Sequence, residues 1–185
     1  MLAVAVHGTP AQAQSLTWQD ASDERGVVVM MRHALAPGGG DPPGFRLSDC
    51  RTQRNLSRDG RQQARAIGRL IESSGIRVSR VLSSPWCRAK ETAALLDVGP
   101  VRTIGYLGST FTAPSAVSAA RKERTLRLIE SHRGKAGVLL LVGHYANIQD
   151  LTGLTTDSGE AIAVRMNDDR TLEFLGRIAS PPRGN

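Results

Sequence analysis

The chain has 185 residues, of which 40% are hydrophobic, so it is long and apolar enough for one domain with a sizeable core. Aromatic residues make up only 4%, so that core must consist mainly of Val, Leu, Ile and Ala. The 24 Lys and Arg residues exceed the 17 Asp and Glu residues, and the formal net charge is +7. This composition excludes large-scale disorder. Most of the basic residues are arginines, which fits an anionic substrate or surface as well as it fits a GC-rich genome.

The N-terminal segment "MLAVAVHGTPAQAQ" has features of an export signal. A short apolar run is followed by Ala11-Gln12-Ala13, an A-x-A pattern of the kind that signal peptidases cut, although no charged region precedes it. We favour an exported, periplasmic protein over a cytoplasmic one. We assign residues 1–20 to a signal-peptide remnant or disordered tail, and 21–185 to a single domain. No stretch approaches the ~18–20 apolar residues that span a bilayer, so no membrane span is expected.

Strands and helices are predicted to alternate along the rest of the chain. Ser57, followed by apolar residues at helical spacing, predicts a capped helix to about Ser73. The apolar run 137–143 predicts a strand covered by helices on both faces, and the long polar loop 37–55 is expected to be functional or mobile. The fold class is therefore α/β, a three-layer sandwich with a mostly parallel central sheet flanked by helices. Further strands are predicted at 27–31, 78–84 and 101–104 and in a hairpin of 161–166 and 171–176, and further helices at 85–96, 115–131 and 146–152.

Histidines and arginines lie where three of the predicted strands end. Arg32 and His33 follow the first strand, Arg88 lies on the first turn of the helix after the second, and His144 follows the long apolar strand. Ligands of such sheets bind beyond the carboxyl ends of the strands, so we expect these four side chains to meet. A single strand-end histidine is more often structural. Four converging groups are hard to explain by packing, because unpaired buried cations are costly.

The residue types at these strand ends predict phosphoryl transfer. The guanidinium group of arginine can donate two parallel hydrogen bonds to phosphoryl oxygens. A neutral imidazole is a competent nucleophile toward phosphorus. Side-chain cations supply the positive charge that the transition state needs, so we expect neither a metal nor another cofactor.

Four further segments follow one another along the chain: "MRHALAPG" (31–38), "RNLSRDGRQQA" (54–64), "VLSSPWCRAKETA" (81–93) and "LLLVGHYANI" (139–148). Together they resemble motifs of the histidine phosphatase superfamily. The resemblance implies the phosphoglycerate-mutase-like fold and a compact single-domain branch that includes small phosphohistidine phosphatases and exported bacterial members. It implies a phosphatase acting on a small anionic phosphorylated substrate, either a phosphate monoester or a phosphoramidate.

The resemblance also implies a role for each matching residue. His33 would be the nucleophile that becomes phosphorylated. Arg32, Arg88 and His144 would bind the phosphoryl oxygens, with His144 as an additional donor if it is protonated. Arg54 matches an arginine that lies at the pocket in the small phosphohistidine-phosphatase-like members.

The general acid is not identified by the resemblance. Mutase-like members place a Glu in the loop after the third strand, but no Asp or Glu occurs here between Asp97 and Glu123, so mutase activity is not expected. Glu160 is the first candidate for the acid, with Asp41 and Asp49 as alternatives. Without a donor, the enzyme should favour leaving groups that need little protonation, such as those of aryl phosphates, acyl phosphates and phosphoramidates.

Cys50 and Cys87 are too far apart in sequence for a C-x-x-C metal site. In an exported protein they would form one disulfide, whereas in the cytosol they would be free thiols. Both are predicted near the pocket rim, where a bridge would tether the long loop to the helix that carries Arg88.

Two other functions stay open at this point. The fold could have lost catalysis and kept a phospho-ligand site. Alternatively, the net charge and the arginines of the first helix could mark a basic nucleic-acid-binding module. Such a module would need aromatic side chains to stack on bases, and the chain has few, so no nucleic-acid partner is expected. The oligomeric state is not predicted.

Overall fold

The computed structural model describes residues 15–22 and 25–181. They form a seven-stranded mixed sheet in the order β1-β7-β6-β2-β5-β3-β4. The strands are β1 (Ser15–Leu16), β2 (Val28–Arg32), β3 (Val78–Ser83), β4 (Val101–Thr103), β5 (Val138–Gly143), β6 (Ala161–Met166) and β7 (Leu172–Ile178). The α-helices are α1 (Arg58–Ser73), α2 (Cys87–Leu96), α3 (Ser115–His132) and α4 (Tyr145–Thr152), with short 3-10 turns at Asp20–Ser22, Cys50–Thr52 and Gly105–Leu107.

The core lies on both faces of the sheet, which confirms the predicted three-layer sandwich. Leu140 and Val142 of β5 pack in an apolar cluster with residues of α1 and α2. Leu139 and Leu141 of the same strand pack in a second cluster with residues of α3 and α4. Because successive side chains of a strand point to opposite faces, the continuous apolar run of β5 is buried on both sides.

The pairing pattern brings three strand ends to one edge of the sheet. β2 pairs parallel with β5, β5 with β3, and β3 with β4, while β6 is antiparallel to β2 and β7. Arg32 and Gly143 are register partners, and the backbone N–H of His33 donates to the carbonyl of Gly143 at 2.9 Å. His33 and His144 therefore leave adjacent strands at the same level.

Local sequence features determine where α1 begins and how closely it packs against α2. The Ser57 hydroxyl caps α1 by accepting from the backbone N–H of Gly60 at 3.0 Å. A Cβ at Gly68 would stand 2.1 Å from the carbonyl oxygen of Leu96, so glycine permits the close packing of α1 against α2. The predicted start of α2 was two residues early, because Trp86 has an extended backbone and α2 begins at Cys87.

The ordered domain begins earlier than the predicted boundary between residues 20 and 21. β1 pairs with β7, and the Trp18 side chain is buried in the core cluster beside α1 and α2. Residues 15–20 are thus part of the fold and not a disordered tail. The rest of the predicted signal segment, residues 1–14, lies outside the described residues. No helix within the described ranges is long and apolar enough to cross a membrane.

Candidate active site

A cavity of about 230 Å³ opens at the sheet edge where β2 and β5 end. All five side chains that the sequence assigns to phosphate chemistry line it. They come from two strand ends, the first turn of α2 and the loop between β2 and α1. These residues are Arg32, His33, Arg54, Arg88 and His144.

His33 is buried at the base of this cavity and has a defined tautomer. Its Nδ1 lies 2.8 Å from the carbonyl oxygen of Ala34, which can only accept, so Nδ1 carries the hydrogen and Nε2 carries the lone pair. Burial, followed by the charges of Arg88, Arg54 and Arg32, lowers the pKa of His33 to about 3. The ring is therefore neutral at pH 7, with its unprotonated nitrogen at Nε2.

His144 lies beside His33, with the two ring centroids 5.5 Å apart. Its Nε2 is 2.7 Å from the hydroxyl oxygen of Ser84. Burial lowers the pKa of His144 well below its usual value, and the neighbouring His33 and Arg88 lower it further. This favours a neutral His144 at pH 7 and not the protonated donor considered from the sequence.

Arg88 is almost fully buried and contacts three residues of the site. Its Nε donates to Nε2 of His33 at 3.2 Å. Its Nη1 donates to the Asp41 carboxylate at 2.7 Å and to the carbonyl of Arg54 at 3.1 Å, and its Nη2 donates to Asp41 at 3.1 Å. The guanidinium is thus held directly against the predicted nucleophile.

Arg32 and Arg54 are each held by hydrogen bonds to backbone carbonyls. Nη1 of Arg32 donates to the carbonyl of Thr156 at 2.7 Å, and its guanidinium carbon lies 5.2 Å from the centroid of the Tyr145 ring. Nε of Arg54 donates to the carbonyl of Gly40 at 2.7 Å. Partial burial lowers the pKa of both arginines. Nε of Arg32 is buried and has no hydrogen-bond partner among the described residues.

The candidate general acid Glu160 is not among the cavity-lining residues. Its carboxylate pairs with Arg177 at 2.8 Å and accepts from the backbone N–H of Asp157 at 2.7 Å. Asp49 pairs with Arg51 at 3.1 Å, also away from the cavity lining. The structure therefore corrects the first choice of acid, because a strong local ion pair holds Glu160 elsewhere.

Asp41, an alternative to Glu160 as the acid predicted from the sequence, lines the cavity. Burial by itself raises the pKa of Asp41. The hydrogen bonds from Arg88, the backbone of Arg54 and Trp86, together with the charge of Arg88, outweigh burial and lower its pKa overall. Asp41 is thus ionised at neutral pH and holds no proton to donate.

Cys50 and Cys87 form a disulfide, with their Cα atoms 5.7 Å apart. The bridge joins the loop between β2 and α1 to the residue before Arg88. The side-chain oxygen of Gln53 in the same loop accepts from the backbone N–H of Cys87 at 3.0 Å. The loop is therefore fixed to the helix start that carries the catalytic candidate Arg88.

Aromatic side chains that were not predicted from the sequence form two pairs along the cavity. Phe45 and Trp86 have ring centroids 6.0 Å apart, and Phe111 and Tyr145 have centroids 5.7 Å apart. Phe111 is 54% exposed, which is unusual for so apolar a side chain. The signal in the sequence was weak, because these residues lie in four different segments of the chain.

The described residues contain no group of three His, Cys, Asp or Glu side chains placed to hold a metal ion. The positive charge of the cavity comes from its arginines.

Comparisons with known proteins agree with this geometry. The sequence model of the histidine phosphatase superfamily (branch 1) matches residues 28–103, while no curated protein sequence matches the chain. The structure of the protein histidine phosphatase SixA complexed with tungstate is similar with a TM-score of 0.60 and 19% identity, covering 83% of this chain and 96% of that one. Phosphoserine phosphatase from Entamoeba histolytica with 3-phosphoglyceric acid has a TM-score of 0.62 at 13% identity, covering 83% and 97% of the two chains.

A mycobacterial glucosyl-3-phosphoglycerate phosphatase is also similar, with a TM-score of 0.60 and 17% identity, covering 85% of this chain and 99% of that one. These identities are low, so the structural likeness establishes the shared fold. The family match spans the segment that carries His33, Arg54 and Arg88. The chain is therefore similar to the histidine phosphatase superfamily over residues 28–103.

Proposed function

We propose that the protein is a metal-independent phosphatase that hydrolyses a phosphate monoester or phosphoramidate through a phosphohistidine on His33. The observation that carries this proposal is the pairing of a buried, neutral imidazole with an arginine at its Nε2. The distance from Nε of Arg88 to Nε2 of His33 is 3.2 Å, so a phosphoryl group bound at Nε2 would lie within reach of the guanidinium.

In the first step, Nε2 of His33 attacks phosphorus, and the bond from phosphorus to the leaving oxygen or nitrogen breaks. Arg32, Arg54 and Arg88 stabilise the charge on the phosphoryl oxygens. The imidazole becomes cationic as its lone pair forms the new bond, and the carbonyl of Ala34 accepts from Nδ1–H and stabilises that form. In the second step, water attacks phosphorus, inorganic phosphate leaves, and the neutral imidazole returns.

The leaving group should be one that needs little protonation. The ionised Asp41 is not a proton donor in this arrangement, and the other carboxylates that the sequence suggested lie outside the cavity lining. The aromatic pairs of the cavity add a surface on which a planar leaving group can stack. Together these features support aryl phosphates and phosphoramidates as substrates. The ligand of the Entamoeba relative, 3-phosphoglyceric acid, supports a small phosphorylated molecule in general.

Export to the periplasm is the location we propose. A cut after Ala13 would remove only residues that precede β1, because that strand begins at Ser15. The Cys50–Cys87 disulfide also fits an oxidising compartment. N-terminal sequencing of the protein recovered from the periplasm of a bacterial host tests this proposal. A protein retained in the cytoplasm with residues 1–13 intact would contradict it.

A panel of phosphorylated compounds tests the proposed reaction. The panel contains aryl phosphates of graded leaving-group pKa, glycerol phosphate and phosphoramidate, each assayed with the wild type and with His33→Ala. We expect a steep negative slope of log(kcat/KM) against leaving-group pKa and no effect of EDTA. Full activity of His33→Ala, or activity lost in EDTA and restored by zinc or magnesium, would overturn the mechanism. Vanadate binding without turnover would instead indicate the catalytically weak phospho-ligand binder.

A further inference from the structure

Asp41 occupies an unusually well-defined position for a residue of a long glycine-rich loop. Its side chain is only 8% exposed. Oδ1 accepts from Nη1 of Arg88 at 2.7 Å and from the backbone N–H of Arg54 at 3.0 Å. Oδ2 accepts from Nη2 of Arg88 at 3.1 Å and from the indole N–H of Trp86 at 3.0 Å. Each carboxylate oxygen thus accepts two hydrogen bonds inside the cavity.

The two edges of the Arg88 guanidinium face different partners. The end-on edge, formed by Nη1 and Nη2, meets both oxygens of Asp41 in a fork-to-fork pair. The second N–H of Nη1 points to the carbonyl of Arg54. The side-on edge carries Nε–H, which points to Nε2 of His33, and the remaining N–H of Nη2. The edge that faces the nucleophile is therefore the one that Asp41 does not use.

We propose that Asp41 is a positioning residue that holds the end-on edge of Arg88, so that the side-on edge stays aligned on Nε2 of His33. This inference rests on the proposed function. Asp41 acts through Arg88 and does not itself touch the reacting atoms. A phosphoryl group at Nε2 would meet Nε–H and the second Nη2–H of a guanidinium that is already fixed in the correct orientation, which lowers the cost of ordering it during the reaction.

The loop is built to deliver this carboxylate. Gly38 and Gly40 have φ values of +89° and +69°, which residues with a side chain rarely adopt, and they turn the chain over the cavity. Nε of Arg54 donates to the carbonyl of Gly40, the residue before Asp41, at 2.7 Å. The Cys50–Cys87 bridge ties the other end of the loop to the residue before Arg88. Asp41 and Arg88 are thus connected both through the ion pair and through the covalent loop.

Asp41→Asn tests the proposal, because the amide keeps the size of the side chain but presents one acceptor and one donor to a fork that only donates. We expect kcat for p-nitrophenyl phosphate to fall roughly 10- to 100-fold with little change in KM, as for lost alignment in the transition state. The matched control is Asp49→Asn, the same change in the same loop at a residue that pairs with Arg51 outside the cavity lining. It should keep wild-type kcat.

Two other roles for Asp41 predict different results. If the carboxylate competes with the phosphoryl group for Arg88, Asp41→Asn should lower KM, tighten vanadate binding and leave kcat unchanged or higher. If Asp41 transfers protons, the variant should change the slope of log(kcat/KM) against leaving-group pKa. Either result would overturn the positioning role, which predicts an unchanged slope and weaker vanadate binding.

A double-mutant cycle tests whether Asp41 affects kcat through Arg88. If Asp41 acts through Arg88, adding Asp41→Asn to Arg88→Ala should reduce kcat by less than about threefold further, because the group to be positioned is already gone. A further loss as large as that of the single variant would show an independent role.

Calorimetric titration with orthovanadate separates this inference from the proposed function, since it needs no turnover. We expect Asp41→Asn to bind vanadate about tenfold more weakly than Asp49→Asn does, in line with the lost alignment of a transition-state donor. A wild type that hydrolyses neither an ester nor a phosphoramidate would overturn the proposed function and leave the positioning role intact. Equal vanadate affinity in the two variants would defeat the positioning role.

Discussion

His33 and His144 enter the cavity from the ends of adjacent parallel strands, whereas Asp41 and Arg54 enter it from the loop between β2 and α1. The strand side is fixed by the sheet, since the backbone N–H of His33 donates to Gly143 of the neighbouring strand at 2.9 Å. The loop side depends on side-chain hydrogen bonds, the Asp41–Arg88 ion pair and one disulfide. The sheet therefore positions the proposed nucleophile, and the loop positions the charged side chains of Asp41 and Arg54.

The largest expected effect lies on the strand side. His33→Ala should lose nearly all turnover, because no other group can accept the phosphoryl transfer in the proposed mechanism. Rapid-quench mass spectrometry should find an acid-labile, base-stable phosphoryl adduct on His33 in the wild type and none in the variant. His132→Gln is a matched control, since His132 is equally buried but hydrogen-bonds to the carbonyl of Gly137, away from the cavity lining. An adduct that persists in His33→Ala would place the nucleophile elsewhere.

Removal of a cavity arginine should have the second largest effect on activity. Arg32→Ala and Arg88→Ala should each reduce kcat by roughly 10²- to 10⁴-fold, as expected when a donor to the transition-state charge is removed. Steady-state kinetics with p-nitrophenyl phosphate measure this loss. Arg61→Ala is the control, because Arg61 pairs with Glu91 at 2.6 Å on a partly exposed helix surface. If Arg88→Ala cost no more than Arg61→Ala, the role of Arg88 in catalysis would be wrong.

Removal of the disulfide tests how much the loop side contributes to stability. The bridge closes a loop with a sequence separation of 37 residues, for which the chain-entropy model gives about 3–4 kcal/mol of stability. The Cys50→Ser/Cys87→Ser double variant should therefore unfold at lower urea concentration than the oxidised wild type. Reductant should destabilise the wild type and leave the double variant unchanged. Equal midpoints for oxidised and reduced wild type would show that the other loop contacts suffice.

The smallest effect, taken per pH unit, is a dependence of stability on pH that comes from the two strand-side histidines. Since the pKa of His33 is about 3 in the folded protein and near 6.5 in the unfolded chain, the unfolded state binds more protons between these values. The free energy of unfolding should fall as the pH drops from about 6.5 toward 3, by at most ~1.4 kcal/mol per pH unit for each such histidine. His144, whose pKa is also lowered, contributes in the same direction.

Urea titrations between pH 7 and pH 4 measure this slope, and His33→Asn should reduce it. A stability that rises on acidification would mean that the histidines are protonated in the folded protein. The neutral nucleophile would then be excluded.

Most of the fold was accessible from the sequence because its signals are local. The buried run of β5 and the cap at Ser57 predicted their elements within a residue or two. The boundary near the N-terminus was wrong, because the burial of Trp18 and the pairing of β1 with β7 depend on residues at the other end of the chain.

The strand ends that carry a histidine or an arginine are visible in the sequence, and the parallel topology places such residues at one edge of the sheet. Which carboxylate enters the cavity, and which side chains are charged, depends on the packed molecule. Asp41 and Arg88 are 47 residues apart and meet through loop closure, whereas Glu160 is held by Arg177 of β7. Burial, which makes His33 and His144 neutral, is a property of the packed molecule. Local pattern thus specified the scaffold and its reactive edge, while long-range contacts set the alignment and protonation of the groups that the edge presents.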